Sequence, residues 1–472
     1  MCTPRWVCRC DTIGFVKLAG GATWVFVVAT GLAIAPSIPA QERPTPAAQP
    51  ESEEDYHVYT DAPRLLLTKS RLRLLQRERE RVSMRWTQFD ALITGGATMP
   101  EPGLAYSLYY RASSDRAAGR KAVDWALGNS GTDLRQLAIV FDWCGPLMTP
   151  VEMDRLGAKI ERAMAGSAGD LKRESARALA AIAIADRLPD HGDAALRSIA
   201  EKWWRTSFLP NLAKLPREHI YALFELLHAV RDNLKIELRD SALPFFKALP
   251  IDHLASHYPA PFEAAENEYR IPVYARDGEP NLDDAAMSRA AEFAMVAYDN
   301  NALEMQYVQG WLMQDRFIMR GALGSVYEFL WANPYQPGLS YFHVPLVYHD
   351  AQLGHVFART SWDEDASWIG YFNGHLQVFQ DGRIQSLRPG ATFKPLKVGG
   401  AVLMGVRDNK AAQFKVEGEA MFVLGLQPRA HYDLEVDDQE LSEVETDVGG
   451  TMVLSFPPGR DAGVRIKLRA NE

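Results

Sequence analysis

Cysteine is almost missing from this chain. Of 472 residues four are Cys, and Cys2, Cys8 and Cys10 all fall in the first ten positions. Only Cys144 lies beyond them, which excludes an internal disulfide framework and a Cys-rich zinc site in the body of the protein. A basic surplus is also lacking. The formal net charge is −9, which argues against a nucleic-acid partner, because phosphate backbones call for a basic face. The apolar run at 22–35 stops at 14 residues, short of a membrane-spanning helix. A sequence repeat of fixed period is missing too, which argues against a solenoid of the tetratricopeptide kind.

What the amino terminus does contain reads as an export signal. Arg5, Arg9 and Lys17 precede the apolar run, and Ile38-Pro39-Ala40 ends in a small residue suited to cleavage. Residues 1–40 are therefore expected to be removed from a periplasmic or secreted protein, with membrane attachment only if they stay uncleaved. They carry +2, so the remainder stands at −11. Residues 41–60, opening on QERPTPAAQPESEED, read as a Pro-rich linker.

A hydrophobic content of 47% and a charged content of 24% are those of a globular protein, and the length suits two domains. Helical punctuation governs residues 61–340. Thr68 caps an expected helix that carries Leu72, Leu75, Val82, Trp86 and Phe89 at helical spacing. Its other face holds Arg71, Arg73, Arg77, Arg79, Arg81 and Arg85, the pattern of a solvated face. Thr149-Pro150-Val151-Glu152 is a capping box with Pro at the first helical position. Ten to twelve helices in short-looped hairpins predict an α/α toroid or arc. From residue 341 the period changes to two, and a dozen strand-like runs predict an antiparallel β-sandwich over 341–472. The fold class is thus α+β and multidomain.

Two stretches stand out. The first is 359–387, with Asn373-Gly374 and Asp381-Gly382 as type I′ hairpin signals. Two-residue loops fix the register: Phe372 opposite His375, Gly370 opposite Gln377, Trp368 opposite Phe379, Gln377 opposite Ser386 and Phe379 opposite Ile384. One face then carries His375, Gln377 and Ser386 beside an aromatic stack, with a gap left over Gln377 by Gly370. Such a surface suits a sugar, and equally an ordinary edge sheet. The second is the irregular insertion at 256–282, where Pro259, Pro261 and Pro272 bracket Glu266-Asn267-Glu268-Tyr269-Arg270. Long irregular loops in compact domains are often functional.

Several segments resemble the heparinase II/III-like polysaccharide lyases. Pro63-Arg64-Leu65-Leu66-Leu67-Thr68 is similar to that family's entry into its first toroid helix. Asp142-Trp143 with Leu147-Met148-Thr149 resembles its "DW…LT" hairpin, and Arg359-Thr360-Ser361-Trp362 its Arg-x-x-Trp strand. The resemblance implies a toroid followed by a sandwich and β-elimination on a uronic-acid polysaccharide. Many members show a His-x-His-x-Asp-type run where this chain reads His375-Leu376-Gln377-Val378-Phe379-Gln380. Gln is a poor metal ligand, so the structural zinc of some members is not expected here, and no other cofactor is called for.

A uronate lyase must neutralise the sugar carboxylate, remove the α-proton and protonate the leaving oxygen. The insertion offers Tyr269 as base and acid, with Asn267 and Arg270 on the carboxylate. His219 and His375 are the other candidate catalytic groups, and Gln377, Tyr335 and Tyr341 candidate sugar contacts where two domains meet. Each has a plainer reading: a loop tied down by an ion pair, a histidine bordering a buried stripe, tyrosines sealing an interface. Three functions remain open. They are an exported lyase, a lyase-like glycan-binding protein without turnover, and a toroid glycoside hydrolase using Glu266 or Glu268. A polysaccharide or oligosaccharide is the expected partner in each; the sequence leaves oligomeric state open.

Overall fold

The computed structural model describes residues 55–472, apart from 167–168, 266–267, 277, 317, 389–393, 417–419, 439, 458, 460–461 and 470–472. The proposed export signal, most of the linker, and Glu266 and Asn267 lie outside the described residues. The amino-terminal half is helical. Its elements begin with α1 (Lys69–Glu80), α2 (Met84–Thr94), α3 (Pro102–Ser113), α4 (Arg116–Leu127) and α5 (Leu134–Cys144). They continue with α6 (Pro150–Met164), α7 (Leu171–Ile184), α8 (Pro189–Arg197) and α9 (Ile220–Leu234). The last four are α10 (Leu243–Ala255), α11 (Leu282–Tyr298), α12 (Leu303–Gln314) and α13 (Gly321–Trp331).

Six of these pack in succession: α3 on α5, α5 on α7, α7 on α9, α9 on α11, α11 on α13, and α13 back on α3. Their sequences explain the placement. The last seven residues of α7, Ala178 to Ile184, are all apolar and buried, and α9 buries 13 of its 15 residues, as a helix covered on most sides requires. The flanking α6 buries one stripe, Leu156, Ile160 and Met164. Asp142 and Trp143 on α5 hold the entry segment: Asp142 accepts the backbone N–H of Arg64 (2.8 Å) and Leu65 (2.9 Å), and the Trp143 indole donates to Leu65 O (2.9 Å). Burial pushes the Asp142 carboxyl up to about 6.

The helix expected to run from Thr68 through Phe89 is two helices. Val82 turns left-handed at φ +49° and stays exposed, and Ser83 caps α2 by accepting from Trp86 N. Ser competes with the helix for backbone N–H groups and so favours a cap over an interior position. The arginine run is not simply solvated either. Arg71 lies over the Trp331 ring at 4.1 Å, Arg79 donates to Ser113 O, and Arg85 pairs with Glu78 at 2.6 Å.

Strands form a small hairpin in the insertion, β1 (Phe262–Glu263) with β2 (Glu268–Tyr269), and three further sheets. The first sheet is the meander β3 (Val347–Asp350), β4 (His355–Arg359), β5 (Trp368–Phe372), β6 (His375–Gln380) and β7 (Arg383–Leu387), in that order. Then come β8 (Leu396–Val398), β9 (Ala401–Gly405), β10 (Ala411–Lys415) and β11 (Ala420–Leu424). The chain ends with β12 (His431–Val436), β13 (Glu440–Glu445), β14 (Met452–Ser455) and β15 (Gly463–Leu468). The second sheet runs β14-β11-β9-β8 and the third β10-β15-β12-β13.

Two corrections to the expected antiparallel sandwich follow. First, β9 and β11 pair in parallel. Second, the sheets stack three deep. Val356, Ala358, Ile369 and Tyr371 of the first pack on Ala401, Leu403, Phe422 and Leu424 of the second. On the opposite face Val402, Met421, Val423, Met452 and Leu454 pack on Tyr432, Leu434, Val464 and Ile466 of the third. The cause is visible in β9 and β11: successive side chains point to opposite faces, and both sets are apolar, so both faces need cover. Among the described residues no helix is long and apolar enough to cross a membrane.

The meander has the expected register at all five pairs, and Asn373, Gly374, Asp381 and Gly382 all have positive φ. The gap expected over Gly370 is filled: a Cβ there would stand 2.2 Å from the Trp368 indole and 3.1 Å from Phe357. Gly370→Ala should therefore displace Trp368 and cost about 1–3 kcal/mol. Ile384→Ala on the exposed β7 should stay within about 0.5 kcal/mol. Denaturant unfolding of the two variants checks both.

Candidate functional site

The first sheet meets the helices at the carboxyl end of α10. A helix leaves its last four carbonyls without intrahelical donors. Here Ala255 O accepts from Arg359 Nη2 and from the Trp368 indole, both at 3.0 Å, and Arg359 also donates to His257 O at 2.8 Å. Arg359 lies 3.8 Å from the Trp362 ring centroid, and the Trp362 indole donates to Val344 O. The Arg-x-x-Trp segment is thus a cap for α10, placed by β4 and the turn after it. Around it, Phe357, Trp368, Phe372 and Phe379 pack on Ala255, Tyr258, Ile271, Val273 and Ala285.

Two polar groups sit beside this joint. Asp252, on the last turn of α10, accepts from His355 Nδ1 (2.9 Å) and Arg217 Nη2 (3.1 Å). Burial opposes the charge on Asp252, but His355 and Arg217 outweigh it and hold the carboxyl down at about 2. The carboxylate favours the Nδ1–H tautomer of His355 and leaves a lone pair on Nε2, which has no hydrogen-bond partner among the described residues. One residue along, His253 and His257 approach Glu292 of α11, all three buried. Burial pushes His257 down to about 4. It also opposes the charge on Glu292, yet Arg289 and a hydrogen bond to His253 Nε2 hold that carboxyl well below the usual range.

Cavities flank the joint. The first, about 460 Å³, is lined by Lys214, Arg217, Tyr274, Arg276, His355 and Asn373 among others. Insertion residues 271–276 and meander residues Phe372 and Asn373 share its wall. The second, about 610 Å³, takes in Tyr269, Arg270, Arg289, Glu292, Arg320 and Glu364, and Ala285 borders both. A third, about 660 Å³, lies between α1 and the carboxyl ends of α9, α11 and α13, lined by Arg71, Arg77, Arg81, Arg231, Asp232 and Trp331 among others.

The sequence-predicted residues distribute unevenly over this geometry. Tyr269 and Arg270 line the second cavity together. Arg270 is bonded there to Glu364 (3.0 Å) and Asp315 (3.4 Å), and Asn267 lies outside the described residues. His375 is exposed on β6 with its ring beside Phe372. Gln377 is 4% exposed, accepting from Tyr258 OH (2.7 Å) and donating to Tyr274 O (2.9 Å). Insertion and meander therefore meet as expected, but at Gln377 they are sealed rather than open. His219 is half-buried at the start of α9, and burial lowers its pKa. Its neighbours Arg217 and Ile220, not His219 itself, line the first cavity. Tyr335 is exposed at the third cavity, where its hydroxyl accepts from Arg81 (3.1 Å), and Tyr341 is buried edge-on against Trp311 and Trp362. Neither tyrosine faces the first two cavities.

The zinc of the resembling family does not fit at the meander. The Gln377 amide is spent on two tyrosines and His375 stands in solvent, so no chemistry is derived from a metal there. Asp252, His253, His257, Glu292 and His355 are site residues that the sequence does not single out. The one available signal was His253 and His257 four apart at the end of a helix; His355 had none.

Asp252 generates a pH prediction. Its folded pKa is depressed, so its contribution is present above the unfolded carboxylate value near 4 and is lost as pH falls toward 2. That contribution is about 2–3 kcal/mol. Urea unfolding between pH 5 and 2 should show a stability difference between wild type and Asp252→Asn that shrinks as the solution is acidified.

No family model matches the chain, and no curated protein matches it. Among solved structures, a mutant of the heparan sulfate lyase HepC from Pedobacter heparinus aligns over 78% of this chain and 76% of its own. The identity is 11% and the TM-score 0.36. At that level the likeness transfers neither residues nor reaction.

Proposed function

We propose that this protein is an exported, lyase-like carbohydrate-active protein whose helical half is an α/α toroid, acting on a uronic-acid-containing polysaccharide by β-elimination in the groove between helices and first sheet. The observation that carries the reading is His355: its Nδ1 is held by Asp252, its Nε2 is unpartnered, and it lines a groove that also holds Arg217, Lys214 and Arg276. The chain is acidic overall, so an anionic sugar needs local cations; Lys214 stands in this groove without an acidic partner among the described residues, while Arg217 is paired with Asp252 and Arg276 with Asp284.

In this reading His355 Nε2 takes the proton next to the sugar carboxylate as that C–H bond breaks. Lys214 and Arg276 stabilise the carboxylate as charge develops on it. The electron pair forms the C=C bond while the C–O bond to the leaving sugar breaks, and Tyr274, on the same wall, supplies the proton to that oxygen. Asp252 orients the imidazole and stabilises its protonated form. Tyr269 and Arg270, across the Ala285 wall, suit binding of a neighbouring sugar and not the elimination step.

A second reading, glycan binding without turnover, is favoured by the sealing of Gln377 and the burial of His355 Nε2. A panel of uronans separates the two. Elimination leaves an unsaturated sugar that absorbs in the ultraviolet, and His355→Ala should lower that rate about 10²–10⁴-fold. Tyr269→Phe should raise KM and leave kcat near wild type. Binding with no chromophore on any uronan selects the second reading, and new reducing ends without chromophore select a hydrolase.

A further inference from the structure

The groove chemistry leaves the His253–His257–Glu292 cluster unused. His257 Nδ1 lies 2.8 Å from the carbonyl of His253. A carbonyl only accepts, so Nδ1 carries the proton and the neutral ring keeps a lone pair on Nε2. That lone pair stands 3.3 Å from Glu292 Oε1, with no hydrogen bond formed, and Nε2 is fully buried with no partner among the described residues. Two buried acceptors facing each other repel unless something positive lies between them. Arg289 donates to the other oxygen, Oε2, at 2.7 Å, and the hydrogen bond between His253 Nε2 and Oε1 (3.1 Å) leaves His257 Nε2 still without a donor.

Spacing says what would. Two ligands held about 2.0–2.1 Å from a tetrahedral ion stand about 3.3 Å apart. His253 Nε2 is 3.1 Å and His257 Nε2 3.3 Å from Glu292 Oε1, and the three ligand atoms lie within 4.8 Å of one another. Ser288 Oγ, 3.4 Å from His253 Nε2, borders a fourth position. The donor set of two imidazoles and one carboxylate is a zinc-class set. The His257 Nδ1–carbonyl bond is the outer contact that commonly fixes a metal-bound imidazole. Arg289, bridging Glu292 to Asp315, fixes the carboxylate in the same way.

We propose that His253 Nε2, His257 Nε2 and Glu292 Oε1 bind one divalent transition-metal ion of the zinc class, clamping the carboxyl end of α10 to α11. The ion would hold the helix end that carries Asp252 and that Arg359 and Trp368 cap. The proposal is independent of the elimination reading, and its test involves no turnover.

The test uses the full chain, stripped with a chelator and titrated with Zn2+ and separately with Co2+. One ion bound per chain, a higher Tm with Zn2+, and visible absorption from a tetrahedral Co2+ centre are expected. His257→Ala and Glu292→Gln should abolish the Co2+ absorption and the Zn2+-dependent rise in Tm. His191→Ala, altering an exposed histidine elsewhere, should leave both in place. Wild-type protein that binds neither ion and shows no Tm shift overturns the proposal, whether or not the variants fold. So does a Co2+ spectrum unchanged in a folded His257→Ala protein, which would mean that the ion sits elsewhere.

Discussion

The carbonyl of Ala255 is where the two halves of this protein are joined. It closes α10 and has no donor of its own within the helix. Arg359 and Trp368 reach it from adjacent strands of the first sheet. A guanidinium at a helix carboxyl terminus is favoured by charge as well as by hydrogen bonding, and the surrounding aromatic packing keeps water away. Because β4 supplies both Arg359 and His355, the docking that satisfies Ala255 also brings His355 to Asp252. A structural obligation, the capping of a helix end, thereby assembles a polar dyad at the edge of a groove.

The insertion between α10 and α11 gains its meaning from the same joint. Its first residues, Ser256 to Tyr258, continue from the capped helix end; Tyr258 stacks on Phe379 and bonds Gln377, while residues 271–276 return along the first cavity. The segment divides the space at this end of the ring into two cavities that share Ala285. Gly370 belongs to this arrangement, since only a residue without Cβ lets the Trp368 indole lie flat over β5.

Much of the fold was legible in local chemistry. The Asn-Gly and Asp-Gly turns fixed the meander's register because a two-residue loop allows no slack, and the Thr149 capping box marked the start of α6. The break at Val82 was hidden because apolar spacing ran through it, and the third sheet layer because an apolar run such as β9 does not say what covers each of its faces. The site was less legible. Asp252 and His355 are 103 positions apart and meet only where α10 packs against β4, which no local pattern encodes. The residues singled out by their types, His375 and Gln377, proved to be one exposed and one sealed, because the meander's parity says which face a side chain takes and not what lies against it.

In the proposed function an anionic sugar binds in the groove at His355. Amide hydrogen exchange with and without a uronate oligosaccharide measures this most directly. Protection should appear in 214–217, 271–276 and 353–355. Protection confined to 314–320 around the second cavity, or none anywhere with any uronate offered, would contradict it.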